Sequence, residues 1–281
     1  MIQEILVPFN GSDETRRAVE VGAGLARAAE RPLRIFAYSE KPGIPAHSAA
    51  LYELADLISV RYGLSPQITS VPTFRFLGDE LISQSARRPG SVIAIPSSGP
   101  GRRALVMGSL ATDVLTYNPG PTILVGPECE SPTFEAAGPM VIALDGSHES
   151  ERILDVAHEW AQVFHLEVDI ITVLDPVFSS ATASAIASGD IVESAYVAQV
   201  AQRSPIASDH PTYDVLHGRP ADEIVREATD RNASLIAMAS SVPHGVDRLL
   251  HGSILDSVTR HSPVPILALG TQPRTTSRQT S

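Results

Sequence analysis

The sequence predicts an α/β protein of two doubly wound domains, each built on a five-stranded, mostly parallel sheet. One observation is a repeat at the start of each half, where EILVPFNGS at 4–12 reappears as PMVIALDGS at 139–147. A second repeat closes each half, since GSLATDVLTYNPGPTILV at 108–125 aligns without a gap on GSILDSVTRHSPVPILAL at 252–269. Between these repeats, short apolar runs alternate with longer amphipathic stretches. That alternation is typical of βαβ crossovers, which place helices on both faces of a parallel sheet.

The first copy contains five apolar runs of strand length. They are Ile5–Pro8, Leu33–Tyr38, Ile68–Val71, Val92–Ile95 and Thr122–Val125. The amphipathic stretches between them predict helices at 13–29, 47–62, 78–88 and 109–117. Ser12 stands where a helix N-cap is expected, with acidic residues in the next turn. Pro119 should end the last helix and lead into the final strand.

The second copy repeats the same order of elements. Its predicted strands lie near 140–144, 168–173, 213–216, 234–239 and 265–268. Its predicted helices lie near 149–164, 187–202, 220–232 and 253–261. Ser147 and Pro263 take the capping and stopping positions of Ser12 and Pro119. The continuous apolar strand MVIAL predicts a sheet that is buried on both faces.

These repeats set the expected domain boundaries. The chain of 281 residues accommodates two domains of about 140, which is near the common domain size. We expect the first copy at 1–126 and the second at 139–270, joined by the polar, proline-bearing linker PECESPTFEAAG at 127–138. The terminal segment 271–281 is polar and aperiodic, which predicts a disordered tail.

Composition narrows the classes of function. A formal net charge of −11 argues against a nucleic-acid partner and against binding to an anionic membrane surface. The start lacks a signal-peptide pattern, and no apolar run reaches the roughly 18 residues of a membrane helix, so we expect a cytoplasmic protein. Cys129 is the single cysteine, which rules out an internal disulfide. Its place in the linker predicts an exposed thiol, either redox-sensitive or without a specific role.

The quoted residues resemble those of the universal stress protein family, in its tandem two-domain form. The resemblance rests on a strand that ends in Asp-Gly-Ser or Asn-Gly-Ser before a helix, a Gly-Ser pair that opens the last helix, and a proline-bearing turn into a terminal strand. It covers both copies and leaves out only the linker and the tail. It implies a Rossmann-like sheet of the adenine nucleotide alpha hydrolase type. It also implies that the terminal strands, here Thr122–Val125 and Pro265–Ala268, pair as in a dimer.

The resemblance further implies an adenine nucleotide, ATP or a relative, at the carboxyl ends of the strands, where open α/β sheets bind ligands. ATP-binding members follow Gly-x2-Gly-x9-Gly-Ser/Thr, because glycines let main-chain amides approach phosphates and a helix N-terminus favours negative charge. An acid after the first strand accepts hydrogen bonds on the ribose and adenine side. Backbone at the end of the second strand lines the adenine pocket.

The second copy keeps more of that pattern than the first. Counting back from Gly252-Ser253 places Val242 and Ala239 at the two earlier glycine positions, where a Cβ disfavours positive φ. The loop nevertheless has the required length, and the acid is present. The nucleotide-binding positions that the resemblance assigns to the second copy are Asp145, Gly146, Val173, Ala239, Val242, Gly252 and Ser253.

The first copy departs further from the pattern. Asn10 replaces the acid, so this side chain can form hydrogen bonds but carries no charge. Its loop fits in two registers: Pro96 and Gly99 take the glycine positions when counted from the strand, and residues 95 and 98 take them when counted from Gly108-Ser109. The candidate positions are Asn10, Gly99, Gly108 and Ser109.

Two hypotheses for function remain open at this stage. One is a stress-response regulator that binds ATP or a related nucleotide, in the second copy rather than the first, and acts on an unidentified protein partner. The other is a nucleotide-free interaction scaffold with the architecture of a dimer, in which the Gly-Ser residues are plain turns and caps. Both allow an intramolecular pseudo-dimer and a further homodimer of the chain. We expect no metal site and no catalytic activity, because no metal-ligand motif, P-loop or nucleophile elbow occurs.

Overall fold

The computed structural model describes residues 1–39, 49–72, 77–98, 107–129, 134–175, 195–196, 198–200, 202–239 and 254–270. The first copy consists of β1 (Glu4–Phe9), α1 (Asp13–Ala28), β2 (Leu33–Tyr38), α2 (Ala49–Tyr62), β3 (Gln67–Val71), α3 (Leu77–Arg87), β4 (Ser91–Pro96), α4 (Ser109–Tyr117) and β5 (Pro121–Val125). All five strands and all four helices lie where the apolar pattern predicts them, to within two residues at each described end.

The second copy consists of β6 (Met140–Leu144), α5 (His148–Glu151), α6 (Ile153–Phe164), β7 (Val168–Leu174), a 3-10 helix (Pro205–Asp209), β8 (Thr212–His217), α7 (Pro220–Asp230), β9 (Leu235–Ala239), α8 (Ile254–His261) and β10 (Ile266–Leu269). The single helix predicted at 149–164 is wrong in one respect, because Arg152 separates α5 from α6. Most of the helix predicted at 187–202 lies outside the described residues, which are helical at 195–196, 198–200 and 202–203.

The ten strands form one sheet in the order β3-β2-β1-β4-β5-β10-β9-β6-β7-β8. Pairing is parallel within each copy, as the alternation of strands and helices predicts. The only antiparallel pair in this strand order joins the copies, and its partners are the terminal strands β5 and β10. Ile123 pairs with Leu267, its own counterpart in the repeat, so a pseudo-twofold axis passes between these two residues. The terminal strands therefore pair as the family resemblance implies.

Helices cover both faces of the sheet, which confirms the doubly wound class. One apolar cluster contains side chains from α1, α2 and α6, among them the fully buried Leu25, Ile58 and Ile153. The cluster on the opposite face contains side chains from α3, α4, α7 and α8, such as Leu81 and Val258. Each cluster draws on both copies, so two continuous cores run the length of the sheet.

The segment predicted as a polar linker is partly buried where the structure describes it. Cys129 is 4% exposed and Phe134 is 5% exposed, and both belong to the apolar cluster of α1, α2 and α6. The Phe134 ring meets the Phe164 ring edge-on at 4.9 Å, and its main chain passes directly over Gly24 of α1. The expectation of an exposed Cys129 thiol is therefore wrong, because the chain between the copies lies against their helices. The predicted tail at 271–281 falls outside the described residues.

Candidate functional site

Each copy has a topological switch point at the carboxyl ends of its strands. In the second copy β6 lies between β7 and β9, and in the first copy β1 lies between β2 and β4. The chain leaves β6 toward β7 on one side and later returns to β9 on the other. Such a point leaves a crevice beyond the strand ends, where open α/β sheets bind their ligands.

The turn after β6 is held by Asp145. Its Oδ1 atom accepts hydrogen bonds from the Ser147 amide at 2.9 Å and from the Ser147 hydroxyl at 2.6 Å. Gly146 lies between them with φ of 83°, a conformation that favours glycine. Ser147 then caps α5 by accepting a hydrogen bond from the Ser150 amide at 3.1 Å, while Ser150 Oγ accepts one from the Asp145 amide at 3.3 Å. The acid, the glycine and the cap thus form one compact unit.

The turn after β1 repeats this arrangement with an amide in place of the carboxylate. Asn10 Oδ1 accepts hydrogen bonds from the Ser12 amide at 3.0 Å and from the Thr15 hydroxyl at 2.9 Å. Gly11 has φ of 91°, and Ser12 caps α1 by accepting a bond from the Thr15 amide at 3.3 Å. The two turns therefore share their geometry and differ in charge.

Hydrogen bonds stabilise the ionised form of the Asp145 carboxyl. Loss of hydration by itself raises the pKa of this carboxyl, but the hydrogen bonds from Ser147 and Ser150 outweigh that effect and hold the pKa below its ordinary value of 3.8. Asp145 is also exposed at the end of β6. The second copy consequently offers an accessible, ionised carboxylate at its switch point.

Two more predicted positions of the second copy lie at the same edge of the sheet. Val173 is half-buried near the end of β7, one residue beyond Thr172, which pairs with Leu144 of β6. The Thr172 hydroxyl also donates to the Leu144 carbonyl at 2.8 Å and ties the two strand ends together. Ala239 ends β9, the neighbour of β6 on the other side. The strand order thus brings Val173, Ala239 and the Asp145 turn to one edge of the sheet.

In the first copy the described ends of the candidate loop are joined. The Gly108 amide donates to the Ser97 carbonyl at 2.8 Å, and the Ser97 amide donates to the Val125 carbonyl at 3.0 Å. Gly108 is the N-cap of α4 and makes no side-chain capping bond, while Ser109 is exposed in the first turn of that helix. These contacts place the start of α4 beside the end of β4.

Four predicted positions lie outside the described residues and are not placed by the structure. They are Gly99, Val242, Gly252 and Ser253. The phosphate side of both candidate sites therefore stays a prediction. The structure places the remaining positions, which lie at the strand ends of the two copies and at the start of α4.

Sequence reasoning missed the role of two arginines that recur at the same place in both copies. Arg17 Nη1 donates to the Pro127 carbonyl at 2.6 Å, and Arg152 Nη1 donates to the Gly270 carbonyl at 3.2 Å. Each arginine thus connects the first helical region of its copy to the chain just after its terminal strand. Their repetition in the sequence was a usable signal, but the partners are main-chain atoms more than a hundred residues away.

Histidines and acids do not assemble a metal site within the part of the chain that the structure describes, where no group of three potential ligands occurs. His158 is a member of a local pair instead, with Nδ1 at 2.8 Å from the Asp209 carboxylate. That contact attaches the 3-10 helix to α6. No helix among the described residues has the length and apolarity needed to cross a membrane.

Comparison with known proteins decides the family. A sequence model of the Universal stress protein family matches residues 137–270. The second copy is a universal stress protein domain. This universal stress protein domain includes the Asp145 turn, β7, β9 and the terminal strand, so the resemblance seen in the sequence is confirmed for the second copy.

One known protein is similar to this chain in sequence, and two solved structures are similar to it in fold. The stress response protein NhaX of Bacillus subtilis (strain 168) is 24% identical over an alignment of 157 positions, which covers 46% of this chain and 95% of that protein. A universal stress protein from Archaeoglobus fulgidus DSM 4304 superposes with a TM-score of 0.59 at 17% identity, over 95% of this chain and 98% of that one. A protein of unknown function from Pseudomonas aeruginosa PAO1 gives 0.61 at 15% identity, over 96% and 92%. Both copies of this chain therefore share the fold of solved structures.

Proposed function

We propose that this chain is a universal stress protein that acts as a stress-response regulator, and that its second copy binds ATP or a related adenine nucleotide. The proposed site lies beyond the carboxyl ends of β6, β7 and β9. Asp145 would accept hydrogen bonds from the ribose side, main chain near Val173 would line the adenine pocket, and the loop ending in Gly252-Ser253 would face the phosphates. An unidentified protein partner would read the nucleotide-bound surface.

The observation that carries this proposal is the Asp145 carboxylate. It is exposed at a topological switch point, its pKa is lowered by the Ser147 hydrogen bonds, and both of those bonds end on Oδ1. A ligand hydroxyl can therefore approach the carboxylate without breaking the turn. Hydrogen bonds to charged groups contribute about 1.5–3 kcal/mol, so one such bond changes affinity by about tenfold to a hundredfold.

The first copy supports nucleotide binding less well. Asn10 Oδ1 already accepts hydrogen bonds from Ser12 and Thr15. The Asn10 side chain is also uncharged, so it would bind a ribose hydroxyl less strongly than a carboxylate does. We therefore assign the nucleotide to the second copy alone.

A nucleotide-free scaffold is the competing function, and one observation favours it. The matching turns show that Asn10 and Asp145 each serve a structural purpose that needs no ligand. The shared cores and the β5–β10 pair then become the features that matter. In that case the surface of the pseudo-dimer, or a homodimer of the chain, would bind partners whether or not ATP is present.

Co-purified ligand and thermal stability separate these functions. Purified full-length protein is denatured, and its supernatant is assayed for adenine nucleotides. In parallel, melting is measured with and without millimolar ATP, because a ligand at 100 times its dissociation constant adds about 2.7 kcal/mol of stability. Nucleotide in the supernatant, or a higher melting temperature with ATP, supports the proposal. If neither effect is observed, the nucleotide-free scaffold becomes the better explanation.

The variant Asp145→Asn tests the site itself. Asn10 shows that an amide oxygen can hold this turn, so the substitution should leave the fold intact while it weakens ATP by about tenfold or more. The control is Asp155→Asn, which removes the same charge from an exposed residue of α6. Equal ATP affinity in the two variants would show that the nucleotide does not lie beside Asp145.

Catalysis is tested with the same preparations. We expect no phosphate release from ATP above the background rate, because the sequence offers no general base beside a nucleophile. Turnover that disappears in Asp145→Asn would replace the binding function by a weak ATPase.

A further inference from the structure

The chain just after each terminal strand lies against the last helix of the other copy. A Cβ added to Gly126, which follows β5, would overlap the Thr259 carbonyl oxygen of α8. A Cβ added to Gly270, which follows β10, would overlap the Leu115 carbonyl oxygen of α4. Each glycine main chain is therefore in direct contact with a helix that belongs to the other half of the repeat.

The two carbonyls in contact share a local cause. A carbonyl in an α-helix accepts a hydrogen bond from the amide four residues later. That residue is Pro119 for Leu115 and Pro263 for Thr259, and proline has no amide hydrogen. The last helix of each copy thus leaves one carbonyl available to the main chain of the other copy.

An arginine attaches each of these chain segments to the first helical region of its own copy. Arg152 Nη1 donates to the Gly270 carbonyl at 3.2 Å. Arg17 Nη1 donates at 2.6 Å to the carbonyl of Pro127, which directly follows Gly126. Both arginines are half-buried, and they are counterparts in the repeat. The duplication has therefore kept the arginine, the glycine and the helix-ending proline together.

Each arginine is also close to the turn that follows the first strand of its copy. In the second copy, Ser150 Oγ accepts a hydrogen bond from the Asp145 amide at 3.3 Å, and the Arg152 amide donates to the Ser150 carbonyl. In the first copy, the Thr15 hydroxyl donates to Asn10 Oδ1 at 2.9 Å, two residues before the arginine. The contacts thus run from the turn of one copy to the last helix of the other.

We propose that Arg17 and Arg152 are positioning residues that couple the turn of each copy to the last helix of the other copy, and that a nucleotide in the second copy acts on α4 by this path. The first part is a property of the ligand-free chain, whereas the second rests on the proposed function. Helix α4 has nine residues and starts at the candidate positions Gly108 and Ser109. A displacement at Leu115 therefore reaches the candidate site of the first copy, because a short helix moves as a rigid element.

Residue-resolved amide exchange on the full-length chain without ligand tests the crossed pattern. The reporters are Asn118 and Ser262, buried counterparts whose amides donate at 2.8 Å to carbonyls of α4 and α8. Rates are compared with that of Ile5 in β1, which reports global unfolding. Arg152→Met removes the guanidinium but keeps an apolar stem, and should speed exchange at Asn118 by about threefold or more. Arg17→Met should instead speed exchange at Ser262.

The control is Arg203→Met, because Arg203 also donates to a main-chain carbonyl. Its partner is Gln199, at 3.2 Å and only four residues away. This variant should leave both reporters unchanged. Unaltered rates in the Arg17 and Arg152 variants, an equal increase at both reporters, or a larger increase within the copy that carries the substitution would each overturn the proposal.

A double-mutant cycle tests whether the turn itself takes part. Gly146→Ala strains the turn after β6, since Gly146 has φ of 83°. It should speed exchange at Asn118 relative to Ile5 when Arg152 is present and add little when Arg152 is replaced by methionine. Equal increments in the two backgrounds would show that the turn does not act through Arg152.

Addition of ATP tests the part that rests on the proposed function. In the wild type, ATP should slow exchange at Asn118, and Arg152→Met should remove that effect although ATP still raises the melting temperature. A higher melting temperature with unchanged exchange at Asn118 in the wild type would overturn the action of nucleotide on α4. If ATP does not bind, the proposed function fails, while the ligand-free measurements still decide the coupling.

Discussion

Gly126 of the first copy lies against the carbonyl of Thr259 in α8, and the relationship recurs with the copies exchanged. Gly270, the counterpart of Gly126, lies in the same way against the carbonyl of Leu115 in α4, the counterpart of Thr259. Reciprocal contacts of this kind define an isologous interface, normally seen between two subunits. Here a single chain supplies both sides, around the β5–β10 pair.

Replacing Gly126 by alanine should destabilise the protein by at least about 1–3 kcal/mol, because its Cβ would overlap main-chain atoms and force the two copies apart. Denaturant unfolding of the full chain measures the change. The control is Gly78→Ala in α3, where the nearest atom to the new Cβ is Leu110 Cδ1 at 3.7 Å. That variant should be neutral or stabilising by up to about 1 kcal/mol. Similar effects at Gly126 and Gly78 would contradict the close packing of the copies.

Replacing Phe134 by alanine should cost about 3–5 kcal/mol, because its ring is buried against Phe164 rather than exposed in a flexible linker. The neighbouring Glu135→Ala alters an exposed side chain and should change stability by less than about 0.5 kcal/mol. Both values come from denaturant unfolding. A loss of less than about 1 kcal/mol in Phe134→Ala would be far below the usual cost of core substitutions. It would indicate that residues 127–138 form an exposed linker.

The two aspartates should titrate on opposite sides of 3.8. Hydrogen bonds lower the pKa of Asp145, and burial raises the pKa of Asp256. Carboxyl NMR titration of the folded protein measures both directly. A carboxyl with a lowered pKa stabilises the fold above its unfolded pKa and loses that contribution as pH falls through the folded one. Asp145→Asn should therefore lose less stability than the wild type between about pH 5 and pH 3.

The contribution of Asp256 to stability changes with pH in the opposite direction. Since its folded pKa is raised, the folded protein binds this proton more readily than the unfolded chain, and the ionised carboxyl is a cost at neutral pH. The wild type therefore gains stability from Asp256 as the pH falls, and Asp256→Asn lacks that gain. On acidification Asp256→Asn should lose more stability than the wild type, whereas Asp145→Asn should lose less. Parallel changes in the two variants would contradict the assigned shifts.

Gly146→Ala should cost about 1–2 kcal/mol through backbone strain alone. Gly146 has φ of 83°, and a Cβ added there meets no atom within 4 Å. The cost therefore differs in origin from that of Gly126→Ala, which arises from collision. Gly146→Asn should recover part of the loss, because asparagine tolerates the left-handed region better than alanine does. Thermal melting of the two variants distinguishes strain from crowding.

Local pattern was sufficient to predict the strands of both copies and the helices of the first. Apolar runs at 140–144 and 168–173 needed no distant partner to be recognised, and the Ser12 and Ser147 caps act within three residues of themselves. The helix break at Arg152 was missed, and so was the bond from Arg152 to the Gly270 carbonyl, which is remote in sequence.

The sequence by itself therefore determined the duplication, the fold class, the matched turns at Asn10 and Asp145, and the loss of charge in the first copy. Only the tertiary structure decided that Cys129 and Phe134 are buried and that Gly126 lies against the carbonyl of Thr259. Repeats and caps depend on neighbours along the chain, which a sequence displays. Burial and contacts between the copies depend on the pseudo-twofold packing of β5 on β10, which brings together residues that no local pattern connects.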